Sequence, residues 1–286
     1  MITSRQISQK QLRAFTLVEL LVVIAVIGVL AGLLLPALAG AKSKAHTVGC
    51  LNNLRQDAID GHLYTSDNGD FLVPNNPVTH GDSAKPMLAT WAGNAAAYGL
   101  PDGTNDANLL GGYPGQPNLG VLGPYVKTTR IFKCPADRSM TTLSGKRYPR
   151  NRSYVMNGFI GTTWLQNIGS EAFFPIVLTL GQLSQVNRPE ILTWIDSHED
   201  GLGLCAMNVV DSGWNHAYEG LPGSRHGGGA GVVFMDAHAE NHKWRNEETK
   251  ARVTGTFVGG VESSDHLTED FIWLRQRMIR GTHDRW

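Results

Sequence analysis

The chain has 286 residues, 42% of them hydrophobic, with 25 basic against 25 acidic side chains and a formal net charge of zero. Such a balance offers no basic face for nucleic acid. The length suits a membrane helix plus one sizeable domain or two small ones.

No charged residue occurs from Leu20 to Ala41, a run dense in Leu, Val, Ile and Ala. About 20 such residues, rising ~1.5 Å each, cross a ~30 Å hydrocarbon core as a helix. Glu19 sits just inside this run, and an acid in a membrane is costly and by default a functional candidate. Three readings compete. The run can be a plain anchor with Glu19 idle at the interface. It can be a secretory signal peptide cut after Ala37-Leu38-Ala39, although its apolar stretch exceeds the usual ~7–15 residues. The third reading rests on order and spacing. A basic leader (Arg5, Lys10, Arg13) and a small residue precede Phe15-Thr16-Leu17-Val18-Glu19 and an unbroken apolar helix. This closely resembles type IV prepilins and type II secretion pseudopilins.

That resemblance implies cleavage by a prepilin peptidase between Ala14 and Phe15, with N-methylation of Phe15. Ala14 stands where the family usually has Gly, which predicts slower processing. It also implies a role for Glu19 in assembly, paired with the amino group of a neighbouring subunit's Phe15 and so fixing the register. Gly28 and Gly32 would allow close helix approach, and Pro36 a kink or a local opening. Removing residues 1–14, which carry three basic groups and no acid, leaves 22 basic against 25 acidic residues.

Beyond Ala41 the helix is predicted to continue to about Tyr64. Ala45, Val48, Leu51, Leu54, Ala58 and His62 recur at spacings of three and four and define one apolar stripe. Gly61 weakens the last turn, and Ser66-Asp67-Asn68-Gly69-Asp70 ends it. Asp67-x-x-Asp70 lacks the spacing and terminal Glu of a calcium loop. Residues 74–125, punctuated by prolines, read as loop, with Trp91 and Tyr98 tethering it. Predicted strands follow at Ile131–Cys134, Ser153–Met156, Ile176–Thr179 and Ile191–Ile195. A hairpin joins Val232–Met235 to Ala239–Trp244 around Asp236-Ala237-His238, and an amphipathic helix covers Glu269 to Met278. The expected fold class is α+β and pilin-like: a long N-terminal helix on an antiparallel sheet head with a loop-rich insertion.

A second resemblance runs along the head. Cys50-Leu51-Asn52-Asn53-Leu54-Arg55-Gln56, Phe132-Lys133-Cys134-Pro135-Ala136-Asp137 and Arg225-His226-Gly227-Gly228-Gly229-Ala230 leading to Asp236 look like a large pseudopilin-like family. Its hallmark is a His, nine residues, then Asp-Gly. His226 and Asp236 have that spacing, but Ala237 replaces the glycine, which raises the question of the turn's positive φ. In that family, Cys50 and Cys134 fall in cysteine-bearing motifs, and a disulfide between them would staple head to helix. The alternative is three free, buried thiols, with Cys205 the odd one.

For catalysis the signals are thin. His226, Asp236, His238 and His242 cluster in sequence and suggest zinc, and Asp196-Ser197-His198-Glu199-Asp200 adds acids. No HExxH, paired CxxC or G-x-S-x-G is present. The expectation is therefore no catalytic residue, no metal and no cofactor, with His226 and Asp236 joined by a structural hydrogen bond.

The resulting reading has four parts: leader 1–14; spine helix 15–66, transmembrane over about 15–39; loop-rich segment 67–125; and β-rich head 126–286. It describes an inner-membrane, single-pass pseudopilin or minor pilin-like subunit with its head in the periplasm or outside. Its partners would be the prepilin peptidase, other pilin-like subunits through the N-terminal helix, and the secretion or pilus machinery. A tethered binding or adhesive protein is the runner-up, and a metal-dependent hydrolase comes third.

Overall fold

The computed structural model describes residues 16–75, 89–92, 96, 98–111, 119–162, 177–185, 190–203, 205–211, 216–258, 261–262 and 268–278. The backbone divides into two units, Met1–Ser43 and Lys44–Trp286. One helix, α1 (Leu17–Asp67), begins in the first and ends in the second.

In the first unit α1 is apolar enough to cross a membrane by length and composition. The helix starts with a capping box. The Thr16 backbone N–H and hydroxyl donate to Glu19 Oε2 at 2.9 and 2.8 Å, and the Glu19 N–H donates back to Thr16 Oγ1 at 3.2 Å. Each side chain satisfies a backbone donor that the first turn would otherwise leave unpaired. Pro36 lies inside the helix, which runs on through it.

In the second unit the inward row of α1 is Cys50, Leu54, Asp57, Ala58, Gly61 and Thr65. This corrects the predicted stripe: Ala45 and Val48 are exposed, and the buried row is displaced around the helix. The helix meets its sheet through small and polar residues, which a count of apolar side chains passes over. Cys134 lies outside the sheet too. Residues Thr129–Phe132 form a 3₁₀ turn, not the predicted strand, capped by Thr128.

Among the described residues the head sheet has seven strands in the order β8-β7-β4-β3-β5-β6-β9. They are β3 (Tyr154–Asn157), β4 (Leu192–Asp196), β5 (Ala206–Asp211), β6 (His216–Glu219), β7 (Gly229–Phe234), β8 (Ala239–Lys243) and β9 (Val261–Glu262). A separate hairpin pairs β1 (Met140–Leu143) with β2 (Lys146–Pro149). Among the described strands every pairing is antiparallel except β3 with β5. That parallel pair departs from the expected antiparallel sheet. With β4 on one side of β3, the chain returns along the other side running the same way. Strands β3, β4 and β7 are buried along their whole length.

Close approach of α1 depends on absent side chains. A Cβ on Gly231 in β7 would lie 2.8 Å from Leu54 Cδ1 and 3.1 Å from Cys50 Sγ. Polar contacts fix the register: His62 Nε2 meets the Met235 carbonyl at 2.7 Å, and Arg55 donates to the Ala239 carbonyl at 3.3 Å. Trp91 is fully buried against Phe132 and Trp194, and its indole N–H donates to Asn75 at 3.1 Å. Tyr98 donates to Asp200 at 3.0 Å. Asp200 also accepts from Thr254 and Gly255, which ties three loops together. The terminal helix, Glu269–Arg277, is capped by Thr268 and buries Phe271 and Leu274.

Candidate functional site

Two places carry the residues singled out by sequence. The first is the start of α1. Ala14 and Phe15, the expected cleavage and methylation site, lie outside the described residues. Glu19 is described, and its carboxylate closes the capping box onto Thr16. A carboxylate at this end also faces the positive end of the helix dipole.

The second is a buried cluster at the junction of α1 with the sheet. Cys50 comes from α1 and Cys134 from the turn after Phe132. Asp196 ends β4, and His226 lies in the turn before β7. Their potential ligand atoms all fall within 4.8 Å of one another, and all four residues are buried. His226 Nε2 lies 3.2 Å from Cys134 Sγ and 3.6 Å from Asp196 Oδ2. The other ring nitrogen, Nδ1, is 3.2 Å from Thr47 Oγ1, one turn of α1 before Cys50.

The surrounding groups orient each member. Ser153 Oγ receives the Cys134 N–H at 3.1 Å and donates to Asp137 at 2.5 Å. The Ala136 N–H points at Cys134 Sγ at 3.4 Å, and the Tyr154 hydroxyl at Cys50 Sγ, also at 3.4 Å. Arg225 is paired with Asp196 Oδ1, with Glu199 at 2.8 Å and with the Ser197 carbonyl at 2.6 Å. Asp196 Oδ2 has no hydrogen-bond partner among the described residues.

Electrostatics follow from this enclosure. Burial pushes the Asp196 carboxyl up to about 7, against the pull of Arg225. The hydrogen bond from Cys50 lowers the Cys134 thiol to about 7, assisted by His226 and Arg225. Cys50 is raised well above its usual value, first by that same hydrogen bond and then by burial. One thiol is thus poised to ionise beside another that resists it.

The expected partnership of His226 with Asp236 is not formed. Asp236 accepts instead from the backbone of His238 at 3.0 Å, and its Oδ1 lies 2.6 Å from His238 Nδ1, on the exposed hairpin turn. The reason is geometric. β7 lies between the two residues, and at ~3.3 Å per residue its length holds them at opposite ends of the strand. The sequence cluster His226, Asp236, His238 and His242 does not converge: only Asp236 and His238 stay together, and His242 stacks on Trp273 with ring centroids 3.6 Å apart. Cys50 and Cys134 do meet, with no disulfide between them, and Cys205 is a third buried cysteine outside any disulfide. Thr47 carried no sequence signal. Asp196 had one, being an acid that closes an otherwise apolar strand.

The comparisons agree with the amino-terminal features. Residues 10–35 match the family described as the prokaryotic N-terminal methylation motif. The type II secretion system core protein G of Klebsiella pneumoniae is 32% identical over 120 residues, which cover 39% of this chain and 84% of that protein. No solved structure is a significant match. Signal, apolar helix and α+β head together define a pilin-like protein. The chain belongs to the prepilin-like pseudopilins, the family of that core protein.

Proposed function

We propose that this chain is a structural subunit of a short fibre built by a type II secretion or type IV pilus-like system. A prepilin peptidase cuts between Ala14 and Phe15 and methylates Phe15. The mature subunit rests in the inner membrane through α1, its head on the outer side, until the assembly machinery draws it into the fibre. Phe15 and Glu19 set the register, and the apolar helix supplies the fibre core.

The observation that carries this reading is the order of elements at the amino terminus. A basic leader runs into the matched motif, a capped helix begins at Leu17, and no charge but Glu19 follows before Lys42. The test is the mass of the mature amino terminus from membranes. N-methylated Phe15 supports the proposal, and a terminus at Gly40 defeats it, since that product has lost the apolar half of α1.

A second reading draws on one observation. The match to core protein G covers 39% of the chain, which leaves most of it without a counterpart there. A head enlarged in this way suits a membrane-tethered binding protein exported by the same route. Loss of fibre incorporation on changing Glu19 separates the two.

A further inference from the structure

We propose that Cys50, Cys134, Asp196 and His226 form a closed structural zinc site that clamps α1 to the head sheet. The inference stands independently of the fibre reading, because its readout is metal content and not assembly.

Geometry comes first. Tetrahedral zinc takes thiolate sulfur at ~2.3 Å and imidazole nitrogen or carboxylate oxygen at ~2.0–2.2 Å, so its ligand atoms sit about 3.3–3.8 Å apart. The 3.2 Å from His226 Nε2 to Cys134 Sγ and the 3.6 Å to Asp196 Oδ2 are of that size. The full set, within 4.8 Å, closes around an ion by small side-chain rotations. Two sulfurs, one imidazole and one carboxylate select zinc over magnesium or calcium, which prefer oxygen alone.

The unpaired Asp196 Oδ2 is the second, independent observation. Its residue is fully buried, its Oδ1 is occupied by Arg225, and Oδ2 faces the thiols and the imidazole with no donor of its own. A buried oxygen left in this state is costly. A disulfide between Cys50 and Cys134 would bind the two sulfurs and leave that oxygen still unpaired. A cation satisfies all four groups at once.

Charge and outer contacts agree. Zinc displaces one proton from each thiol, and both protons leave to solvent. Two thiolates, one carboxylate and the dication then sum to a single negative charge, which faces Arg225. His226 binds through Nε2 while Nδ1 keeps its proton for Thr47 Oγ1, the usual way a second shell orients a metal-bound imidazole. The N–H of Ala136 and the hydroxyl of Tyr154 point at the two sulfurs, as donors do around metal thiolates. No position is left open, so the site is structural and not hydrolytic.

The experiment uses the full chain, purified from membranes in detergent without chelator, with metal measured by plasma mass spectrometry. The expected result is one zinc per chain. Cys134→Ser and Asp196→Asn should lose it, and Cys205→Ser should keep it. Thr47→Val should weaken zinc binding by roughly ten- to a hundredfold. As a check that needs no variant, wild-type protein stripped of metal and reloaded with Co²⁺ should show the visible bands of a tetrahedral ion and a thiolate-to-cobalt charge-transfer band. A Co²⁺ spectrum without thiolate character overturns the proposal. So does protein with no stoichiometric zinc, or a Cys50–Cys134 crosslinked peptide in protein taken directly from cells.

Discussion

Gly61 of α1 lies directly against the indole of Trp194 in β4: a Cβ added at Gly61 would come 2.8 Å from Cη2 and 3.4 Å from Cζ3. Trp194 is itself held at the sheet centre, edge-on to Trp91. The glycine that weakens the helix in isolation is what lets the helix reach the sheet.

Gly61→Ala therefore has an informative sign. On an exposed helix face it would stabilise by about 1 kcal/mol. Here the overpacking costs more, about 1–3 kcal/mol, so a net loss of stability is expected in chemical denaturation. Combining it with Trp194→Phe, which removes the ring atoms in the way, should recover part of that loss. A more stable single variant would mean that helix and sheet sit further apart than described.

Ala237 holds the positive φ that the missing glycine had left in question. It adopts φ +65°, with its N–H bonded to the Phe234 carbonyl at 2.9 Å. That left-handed conformation costs a non-glycine residue ~1–2 kcal/mol, so Ala237→Gly should raise stability by about 0.5–1 kcal/mol after the entropy that glycine loses. A lower melting temperature in Ala237→Gly would mean that the turn is not left-handed.

Much of this was readable in the chain because the signals are local. An uninterrupted apolar run defines the first half of α1, and a short apolar run followed by the turn residues Asp236-Ala237-His238 defines the hairpin of β7 and β8. The site was not readable. Cys50, Cys134, Asp196 and His226 come from four separate segments, and their meeting is a tertiary event with no fixed spacing. The nine-residue interval from His226 to Asp236 pointed to a contact that the length of β7 forbids. At Ile131 and Phe132 the composition suits a strand, but Thr128 caps a 3₁₀ turn instead. Of the inward row of α1, Leu54 and Ala58 belong to the predicted stripe, and the rest was missed because an acid, a cysteine and a glycine occupy it.

That acid, Asp57, gives a pH dependence. It is fully buried, and neither carboxylate oxygen has a hydrogen-bond partner among the described residues. Burial, reinforced by Asp60, raises its carboxyl well above the ordinary value. A raised acid favours the fold while protonated. The stability it contributes is complete below the unfolded value of about 3.9 and is lost as pH rises through the folded value. Asp57→Asn keeps the shape without the charge. It should be the more stable protein at about pH 8, by ~1–3 kcal/mol, with the advantage shrinking toward pH 4. Urea midpoints at the two pH values decide it, and equal midpoints at the higher pH would place Asp57 in contact with water.

Glu19 has two physical roles to separate, and one pair of variants separates them. In the single chain its carboxylate closes the capping box with Thr16. In a fibre the same group would neutralise the amino terminus of a neighbour's Phe15. Glutamine at N3 also closes a capping box, so Glu19→Gln keeps the helix start and removes the charge, whereas Glu19→Ala removes both. Neither change should impede membrane insertion, because losing a charge makes the segment more apolar. Cleavage after Ala14 should persist in both, since the small residue and the leader are intact. If the charge sets the register, both variants should crosslink to neighbouring subunits less than wild type by on the order of a hundredfold, the penalty for leaving one member of a desolvated pair alone. If capping is the whole role, Glu19→Gln should assemble normally and Glu19→Ala should not. Crosslinking in membranes, with the mature amino terminus checked by mass, distinguishes these outcomes. Normal assembly of both variants would leave α1 as an anchor and transfer the function of this chain to its head.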